Sequence, residues 1–186
     1  MERVEINASM DIETTGLESG IHEIIQLAII IYKIEKRIDC CNNFIRIKDS
    51  FITNIRPMRP ETIDQEALDV NGFTINELKK APNPTQVRNT FFNWYEEVTY
   101  NAVIKPLGHG FSFDMSFLKI FFGDNYKHIF NRNFNDTKVV ASYLKEKGVL
   151  QYDQDISLKS LCLRFNLVEK DYKFHGAEAD ALATIK

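Results

Sequence analysis

Residues 23–34, EIIQLAIIIYKI, are almost entirely apolar and rich in β-branched side chains. Such a run predicts a central β-strand that is covered on both faces. Residues 4–12, VEINASMDI, instead alternate between apolar and polar side chains. Successive side chains of a strand point to opposite faces, so this segment predicts a strand with one polar face that carries Asp11 and Glu13. The chain must therefore begin with a sheet.

The rest of the chain predicts one more strand beside these two, then mostly helices. IEKR (34–37) indicates a hairpin turn, and a third strand is expected over 37–48. Helices are expected after Pro60, over 83–98 with Val87, Phe91, Trp94 and Val98 on one stripe, over 113–122, from 137 to Gly148, after Ser157 as a cap, and after Gly176. A short strand ends at Gly108 and His109. This order predicts one α/β domain over residues 1–186.

Composition restricts the classes of protein to which the chain can belong. Its 186 residues include 44% hydrophobic and 26% charged residues, the balance of a soluble globular protein. We expect no membrane span and no secretory signal, and three cysteines without a CxxC spacing suggest reduced thiols in the cytoplasm. The net charge of -3 argues against coating of long nucleic acids, because phosphate contacts need cations. A nucleic-acid role would require a small footprint, such as a strand end, or bound metal ions.

Asp11 and Glu13 are the first candidates for a metal site. Their Cα atoms should lie about 6.6 to 6.8 Å apart on one strand face, so the two carboxylates can converge. Hard cations such as Mg²⁺ prefer oxygen ligands of this kind. A solvated strand face is the simpler interpretation of a D-x-E pair taken alone. Charged groups in a central strand are costly unless they are paired or metal-bound, which favours the metal site.

Further titratable residues lie in two later segments. Asp114 falls in the first turn of the predicted helix at 113–122, where acidic residues also occur without any ligand role. His175 and Asp180 are five residues apart in HGAEAD. Within one helix their side chains would diverge by about 140°. If His175 lies in the loop before the helix, both side chains can reach one cleft.

Three of these segments together resemble the DnaQ-like (DEDDh) 3′–5′ exonucleases of the ribonuclease H-like superfamily. MDIETTGL resembles motif I, GHGFSFDMSFL motif II, and HGAEADA motif III with its H-x4-D spacing. Weaker similarity in EIIQLAI, RPETIDQEALDVNGFT, NDTKVVASYL and SLKSLCLRFNL extends the resemblance over essentially the whole chain. The resemblance implies a mixed sheet of about five strands, the first three antiparallel, flanked by helices.

The resemblance also implies a catalytic site and its cofactors. Asp11, Glu13 and Asp180 would hold two divalent cations, Mg²⁺ or Mn²⁺, with Asp114 assisting at the second ion directly or through water. His175 would be the general base that takes a proton from the attacking water, a role that imidazole side chains commonly have in enzymes that work near neutral pH.

Substrate-binding residues are implied in the same way. Thr14 and Leu17 would hold the 3′-terminal nucleotide, Phe113 would pack against its sugar or base, and His109 would line the cleft. For Leu17 and Phe113, packing in the hydrophobic core is an equally open interpretation. Two positions depart from the family pattern: Gly110 stands where asparagine is common, and Asn71 where histidine is common. The sequence also ends six residues after Asp180, which suggests that the natural chain continues beyond Lys186.

The sequence therefore predicts an enzyme that removes nucleoside 5′-monophosphates from 3′ ends of single-stranded nucleic acid. The resemblance suggests DNA proofreading or repair beside a DNA polymerase, like the epsilon subunit of polymerase III in replication. RNA 3′-end trimming and an inactive, polymerase-associated binding module remain open alternatives. HEIIQ lacks the second histidine of a zinc-protease helix, and GFSFD lacks the final glycine of a nucleophile elbow.

Overall fold

The computed structural model describes residues 4–36 and 43–186. A five-stranded sheet with strand order β3-β2-β1-β4-β5 forms its centre. The strands are β1 Glu5–Thr14, β2 Ile24–Lys36, β3 Asn43–Asn54, β4 Val103–Gly108 and β5 Asn135–Asp136. β1 pairs antiparallel with β2 and β2 with β3, whereas β4 is parallel to β1 and to β5. The predicted mixed sheet with three antiparallel strands at its start is confirmed.

Eight α-helices flank the sheet in the part of the chain that the structure describes. They are α1 Gln65–Asn71, α2 Ile75–Leu78, α3 Pro84–Thr99, α4 Ser112–Phe122, α5 Tyr126–Ile129, α6 Thr137–Glu146, α7 Leu158–Arg164 and α8 Ala177–Ile185. Among these residues, no helix is both long and apolar enough to cross a bilayer.

The two faces of the sheet bury different side chains. Ala8, Met10 and Ile12 of β1 face the larger core, in which Val87 and Phe91 of α3 are also buried. The alternate side chains of β2, Ala28, Ile30 and Tyr32, pack with Ala177, Ala181 and Ile185 of α8. β2 is thus covered on both faces, as its apolar sequence predicted. The polar face of β1 lies on the α8 side, and this arrangement places its acidic residues beneath a helix.

Three predicted elements differ from the structure at their boundaries, and the structure adds a short fifth strand that no local pattern predicted. Residues 34–36 continue β2 instead of turning, because they pair with 43–45 of β3. β3 ends at Asn54, six residues beyond the predicted end, while residues 37–42, including Cys40 and Cys41, lie outside the described residues. The single helix expected after Pro60 is instead a 3₁₀ turn, Pro60–Thr62, followed by α1, which Asp64 caps. β5 has two residues and carries no periodic signal of its own.

Several local predictions match the structure closely. Val87 and Phe91 of the α3 stripe are buried, and Trp94 and Val98 pack against the same core. Ser157 caps α7 by accepting a hydrogen bond from the Ser160 N–H. Cys162, the third cysteine, is buried, and the prediction of reduced thiols stays a prediction.

Candidate active site

Asp11 and Glu13 lie near the end of β1, in the middle of the sheet. They pair in register with Ala28 and Gln26 of β2, and both keep part of their surface accessible. Their side chains lie on the face that α8 covers, because Ser9, on the same face, donates a hydrogen bond to the Ala181 carbonyl at 2.8 Å. The strand therefore presents both carboxylates to the helix above.

Asp180 comes from the first turn of α8 and completes a cluster of three carboxylates. Oxygen atoms of Asp11, Glu13 and Asp180 all lie within 4.8 Å of one another. The helix approaches the sheet closely, since its contact residues Ala177 and Ala181 are small and fully buried. We call these three acidic side chains the carboxylate triad.

Asp114 lies beside the triad but is not one of its three members. It is almost fully buried in the first turn of α4, and its Oδ1 accepts a hydrogen bond from the Ile12 N–H at 3.1 Å. The parallel pairing of β1 with β4 ends at Ser9. The Ile12 N–H lies beyond the end of this pairing, and the Asp114 carboxylate takes the place of a β4 acceptor. Its charge is close enough to contribute to the raised pKa of Asp11.

His175 lies in the loop just before α8, the arrangement that allows it and Asp180 to face one cleft. Its N–H donates a long hydrogen bond, 3.4 Å, to Oδ2 of Asp180. Its φ of 67° is in the left-handed region that residues with a Cβ rarely adopt. The side chain is exposed, so its imidazole is free to meet a substrate.

All four carboxyl groups have raised pKa values, chiefly because of burial. Burial raises the pKa of Glu13 to about 7, and the charge of Asp180 adds to the effect. Burial raises the pKa of Asp114 to about 8, although hydrogen bonds from backbone N–H groups oppose the shift. The pKa of Asp11 is well above its usual range, because burial and then the neighbouring carboxylates disfavour its charge. Burial also raises the pKa of Asp180, partly offset by His175.

Two observations indicate that the carboxylate triad can bind a divalent cation. Oδ1 of Asp180 is buried and has no hydrogen-bond partner among the described residues, so an acceptor is left unsatisfied inside the protein. The donors are all carboxylate oxygens, which hard cations prefer. A cation here would also neutralise the negative charge of the three carboxylates. These residues can hold a metal ion.

A cavity of about 300 Å³ adjoins the triad. Its lining consists of Ile12, Glu13, Thr14, Leu17, Asp64, Glu66, Ala67, Val70, Asn71 and Phe113. Leu17 is 78% exposed and Phe113 is 37% exposed, so packing in the core does not account for Leu17. The structure thus brings Thr14, Leu17 and Phe113 together around one opening beside Glu13.

His109 does not line this cavity. Its Nδ1 is 2.9 Å from the hydroxyl of Thr137, and its half-buried ring has a lowered pKa, mainly through burial. The other ring nitrogen of His109, Nε2, has no hydrogen-bond partner of standard geometry among the described residues. The backbone of Ile156 is close to the ring and partly offsets the lowering of its pKa. His109 therefore lies against α6.

The two departures from the family pattern have local explanations. Gly110 has a φ of 75°, a conformation that glycine adopts freely and that asparagine tolerates better than most residues. Asn71 donates a hydrogen bond from its side chain to the Thr14 carbonyl at 3.2 Å, so α1 is tied to the end of β1. Asn71 therefore forms one wall of the cavity and holds it in place.

Sequence reasoning missed two residues that organise the site. Asp136 accepts hydrogen bonds from the N–H groups of Gly110 and Phe111 as well as from the first turn of α6. An aspartate directly before a helical run is a capping signal, so that half of its role was available from the sequence. Gln26 contacts α8 from β2, and no local pattern indicated this.

Comparison with known proteins agrees with this geometry. The family model for exonucleases, RNase_T, matches residues 9–186. The chain belongs to this exonuclease family. The DnaQ-like 3′–5′ exonuclease resemblance and the ribonuclease H-like fold are thereby confirmed. A sequence comparison with curated proteins finds no significant match.

Solved exonuclease structures share the fold at low sequence identity. E. coli exonuclease I in complex with a dA16 oligonucleotide has a TM-score of 0.70 and 18% identity, over 97% of this chain and 39% of that one. Cell-death related nuclease 4 (CRN-4) has a TM-score of 0.70 and 17% identity, over 97% and 61%. The nuclease domain of 3′hExo, a DEDDh family member bound to rAMP, has a TM-score of 0.63 and 18% identity, over 96% and 86%. This chain thus spans less than half of exonuclease I and under two thirds of CRN-4.

Proposed function

We propose that this chain is a metal-dependent 3′–5′ exonuclease that releases nucleoside 5′-monophosphates from single-stranded ends. The observation that carries the proposal is the carboxylate triad beside an open cavity, with one buried oxygen of Asp180 unsatisfied. A strand end fits such an opening, whereas a continuous duplex does not enter a cavity of about 300 Å³.

The triad would hold two divalent cations, with Asp114 serving the second ion directly or through water. Bound cations supply charge neutralisation on the attacking and leaving oxygens of the phosphodiester. His175 would take a proton from the attacking water at an imidazole nitrogen, and its exposed position before α8 suits that role. The water oxygen would form a bond to phosphorus as the bond from phosphorus to the 3′ oxygen breaks, and that oxygen would take a proton from solvent. The products are a nucleoside 5′-monophosphate and a strand shortened by one nucleotide with a new 3′-hydroxyl.

The cavity would hold the 3′-terminal nucleotide. Exposed Leu17 and half-exposed Phe113 offer apolar surfaces on which a base or sugar can pack. Thr14 follows Glu13 directly at the end of β1 and lines the same cavity. The four carboxyl groups and their cations explain how a chain with a net charge of -3 binds phosphate at one point.

The similar solved structures do not distinguish DNA from RNA as the substrate, since exonuclease I holds a DNA oligonucleotide and 3′hExo a ribonucleotide. Single-stranded DNA and RNA are therefore both candidate substrates here. A DNA polymerase partner, a role in replication or repair, a single domain over 1–186 and a cytoplasmic location remain predictions.

One assay tests this proposal and its alternatives. Wild-type protein and an Asp11→Ala variant are incubated with 5′-labelled single-stranded DNA and RNA of one sequence, with Mg²⁺, Mn²⁺ or chelator. We expect a metal-dependent ladder that shortens from the 3′ end, release of 5′-monophosphates, and little activity from Asp11→Ala. A circular strand of the same composition should survive, because it has no 3′ end.

The matched control is Glu97→Gln, which removes an exposed charge on α3 and should behave as wild type. If wild-type protein produces no ladder on either substrate, the enzyme proposal fails. Retained binding of the labelled strand in a fluorescence anisotropy titration would then favour the inactive binding module. The ratio of DNA to RNA cleavage rates decides between proofreading or repair and RNA trimming.

A further inference from the structure

The side chain of Gln26 connects three elements at the candidate active site. Its Oε1 accepts a hydrogen bond from the Ala177 N–H of α8 at 2.7 Å, and its Nε2 donates to Asn54 of β3 at 2.9 Å. Gln26 itself lies opposite Glu13 in the β1–β2 register. The amide therefore links the strand next to the triad with the helix that supplies Asp180.

The bond to Ala177 holds the segment that carries two functional groups. Ala177 is the first residue of α8; His175 precedes it by two residues and Asp180 follows it by three. Gly176 has no side chain with which to cap the helix, and the Gln26 oxygen takes an N–H that would otherwise lack an intrahelical partner. A cap from a neighbouring strand fixes the helix start relative to the sheet, which a local cap cannot do.

Tyr172, earlier in this loop, donates a hydrogen bond to the Ala179 carbonyl of α8 at 2.6 Å, but His175 itself is held weakly. The hydrogen bond from His175 to Asp180 is long, at 3.4 Å, and His175 has an unfavourable backbone conformation with a φ of 67°. Without an anchor, the loop would relax toward a more populated conformation. Glutamine also provides an acceptor oxygen without adding another negative charge to carboxyl groups whose pKa values are already raised.

We infer that Gln26 is a positioning residue, which holds His175 and Asp180 in register with Asp11 and Glu13 through the Ala177 N–H. The inference rests on the proposed function for its effect on catalysis. Small displacements of reacting groups cost large factors in rate, so loss of this bond should lower turnover more than it lowers stability.

The test compares Gln26→Met, which keeps the side-chain length but removes both hydrogen bonds, with Asn54→Ala, which removes only the bond to Nε2. We expect Gln26→Met to lower kcat by about ten-fold or more with KM changed by less than about three-fold. Mn²⁺ affinity should fall, and amide hydrogen exchange at Ala177 should accelerate. Asn54→Ala should leave all of these near wild type, and Gln26→Glu, which keeps an acceptor, should restore slow exchange at Ala177.

Ala177→Pro removes the same hydrogen bond from its donor side, so the test does not depend on one variant that folds. Proline is favoured at the first position of a helix, and Gly176 already has the extended conformation that precedes proline, with φ -148° and ψ 130°. If the hydrogen bond from the Ala177 N–H to Gln26 is what positions the loop, each change removes the same bond. The double variant Gln26→Met with Ala177→Pro should then lose no more kcat or Mn²⁺ affinity than either single variant.

Two results overturn the inference: a folded Gln26→Met with wild-type kcat and Mn²⁺ affinity, or equal losses in Asn54→Ala. Its failure is distinguishable from failure of the proposed function. If wild-type protein cleaves no strand, Mn²⁺ titration and amide exchange still report whether Gln26 positions the loop.

Discussion

Replacement of Glu13 by glutamine should stabilise the metal-free protein at neutral and alkaline pH. Glu13 lies in the carboxylate triad, and burial together with the charge of Asp180 raises its pKa from 4.5 to about 7. Glutamine has nearly the same volume and carries no charge. The variant therefore removes the electrostatic cost of the carboxylate while it largely preserves the packing.

The magnitude follows from the pKa. The difference between 4.5 and about 7 is about 2.5 pH units, which corresponds to roughly 3 kcal/mol at 1.36 kcal/mol per unit. Glu13 retains some accessible surface, so solvent screening makes roughly 3 kcal/mol an upper value. The triad is coupled, and Asp11 and Asp180 will take up part of the effect.

The sign of the pH dependence is fixed by the direction of this shift. A raised pKa means that the folded state holds the proton more tightly than the unfolded chain. Between pH 4.5 and about 7 the folded state binds more protons, so Glu13 makes the free energy of unfolding fall as pH rises through this window. The stability advantage of Glu13→Gln should thus be absent near pH 4 and complete by about pH 8.

The assay is urea unfolding of wild type and Glu13→Gln in chelator, from about pH 4 to about pH 8. The difference between the two proteins removes the contribution of titrating groups that do not interact with Glu13, among them His109 with its lowered pKa. Glu97→Gln, at an exposed position, is the control for loss of one surface charge. A difference that does not change with pH, or that favours wild type at alkaline pH, would refute the reasoning.

Three further outcomes are expected. His175→Ala should reduce turnover by about 10² to 10⁴-fold and leave Mn²⁺ binding intact in calorimetry, because it is proposed as a base and not a ligand; lost binding would contradict that role. Gly16→Ala should lower Tm, since its Cβ would lie 2.3 Å from the ring of His22 and its φ of 158° is one that residues with a Cβ rarely adopt. Adding His22→Ala should restore only the part of the Tm that the clash removes; a normal Tm in the single variant would count against this packing. Asp136→Ala should cost about 2 to 3 kcal/mol in urea unfolding, because partly buried N–H groups of the loop before α4 and the first turn of α6 lose their acceptor. A cost below about 0.5 kcal/mol would show that water replaces it.

Much of the architecture could be predicted from periodicity alone. The alternation in β1, the continuous apolar run in β2 and the helical stripe of α3 each reflect a repeat that the backbone geometry imposes. The D-x-E pair was assigned to one face of a strand for the same reason. These predictions succeeded because they depend on neighbours within a few residues.

The boundaries of β3 and the existence of β5 depend on their partners. Exposed side chains along much of β3 weaken its pattern, and the two residues of β5 form a strand only because β4 lies beside them. Pairing energy across the sheet, rather than local propensity, decides such elements.

The sequence by itself determined which side chains are acidic, which face of β1 they share, and the family to which the chain belongs. The family resemblance implied that Asp180 meets Asp11 and Glu13, and the tertiary structure shows how α8 brings it there. Only the tertiary structure decided that Asp114 accepts a hydrogen bond from the Ile12 N–H beside them and that His109 turns toward α6. The physical reason is distance along the chain: Gln26 and Ala177, 151 residues apart, form their bond only after the helix has packed on the sheet. A local pattern records periodicity, whereas a site of this kind results from packing.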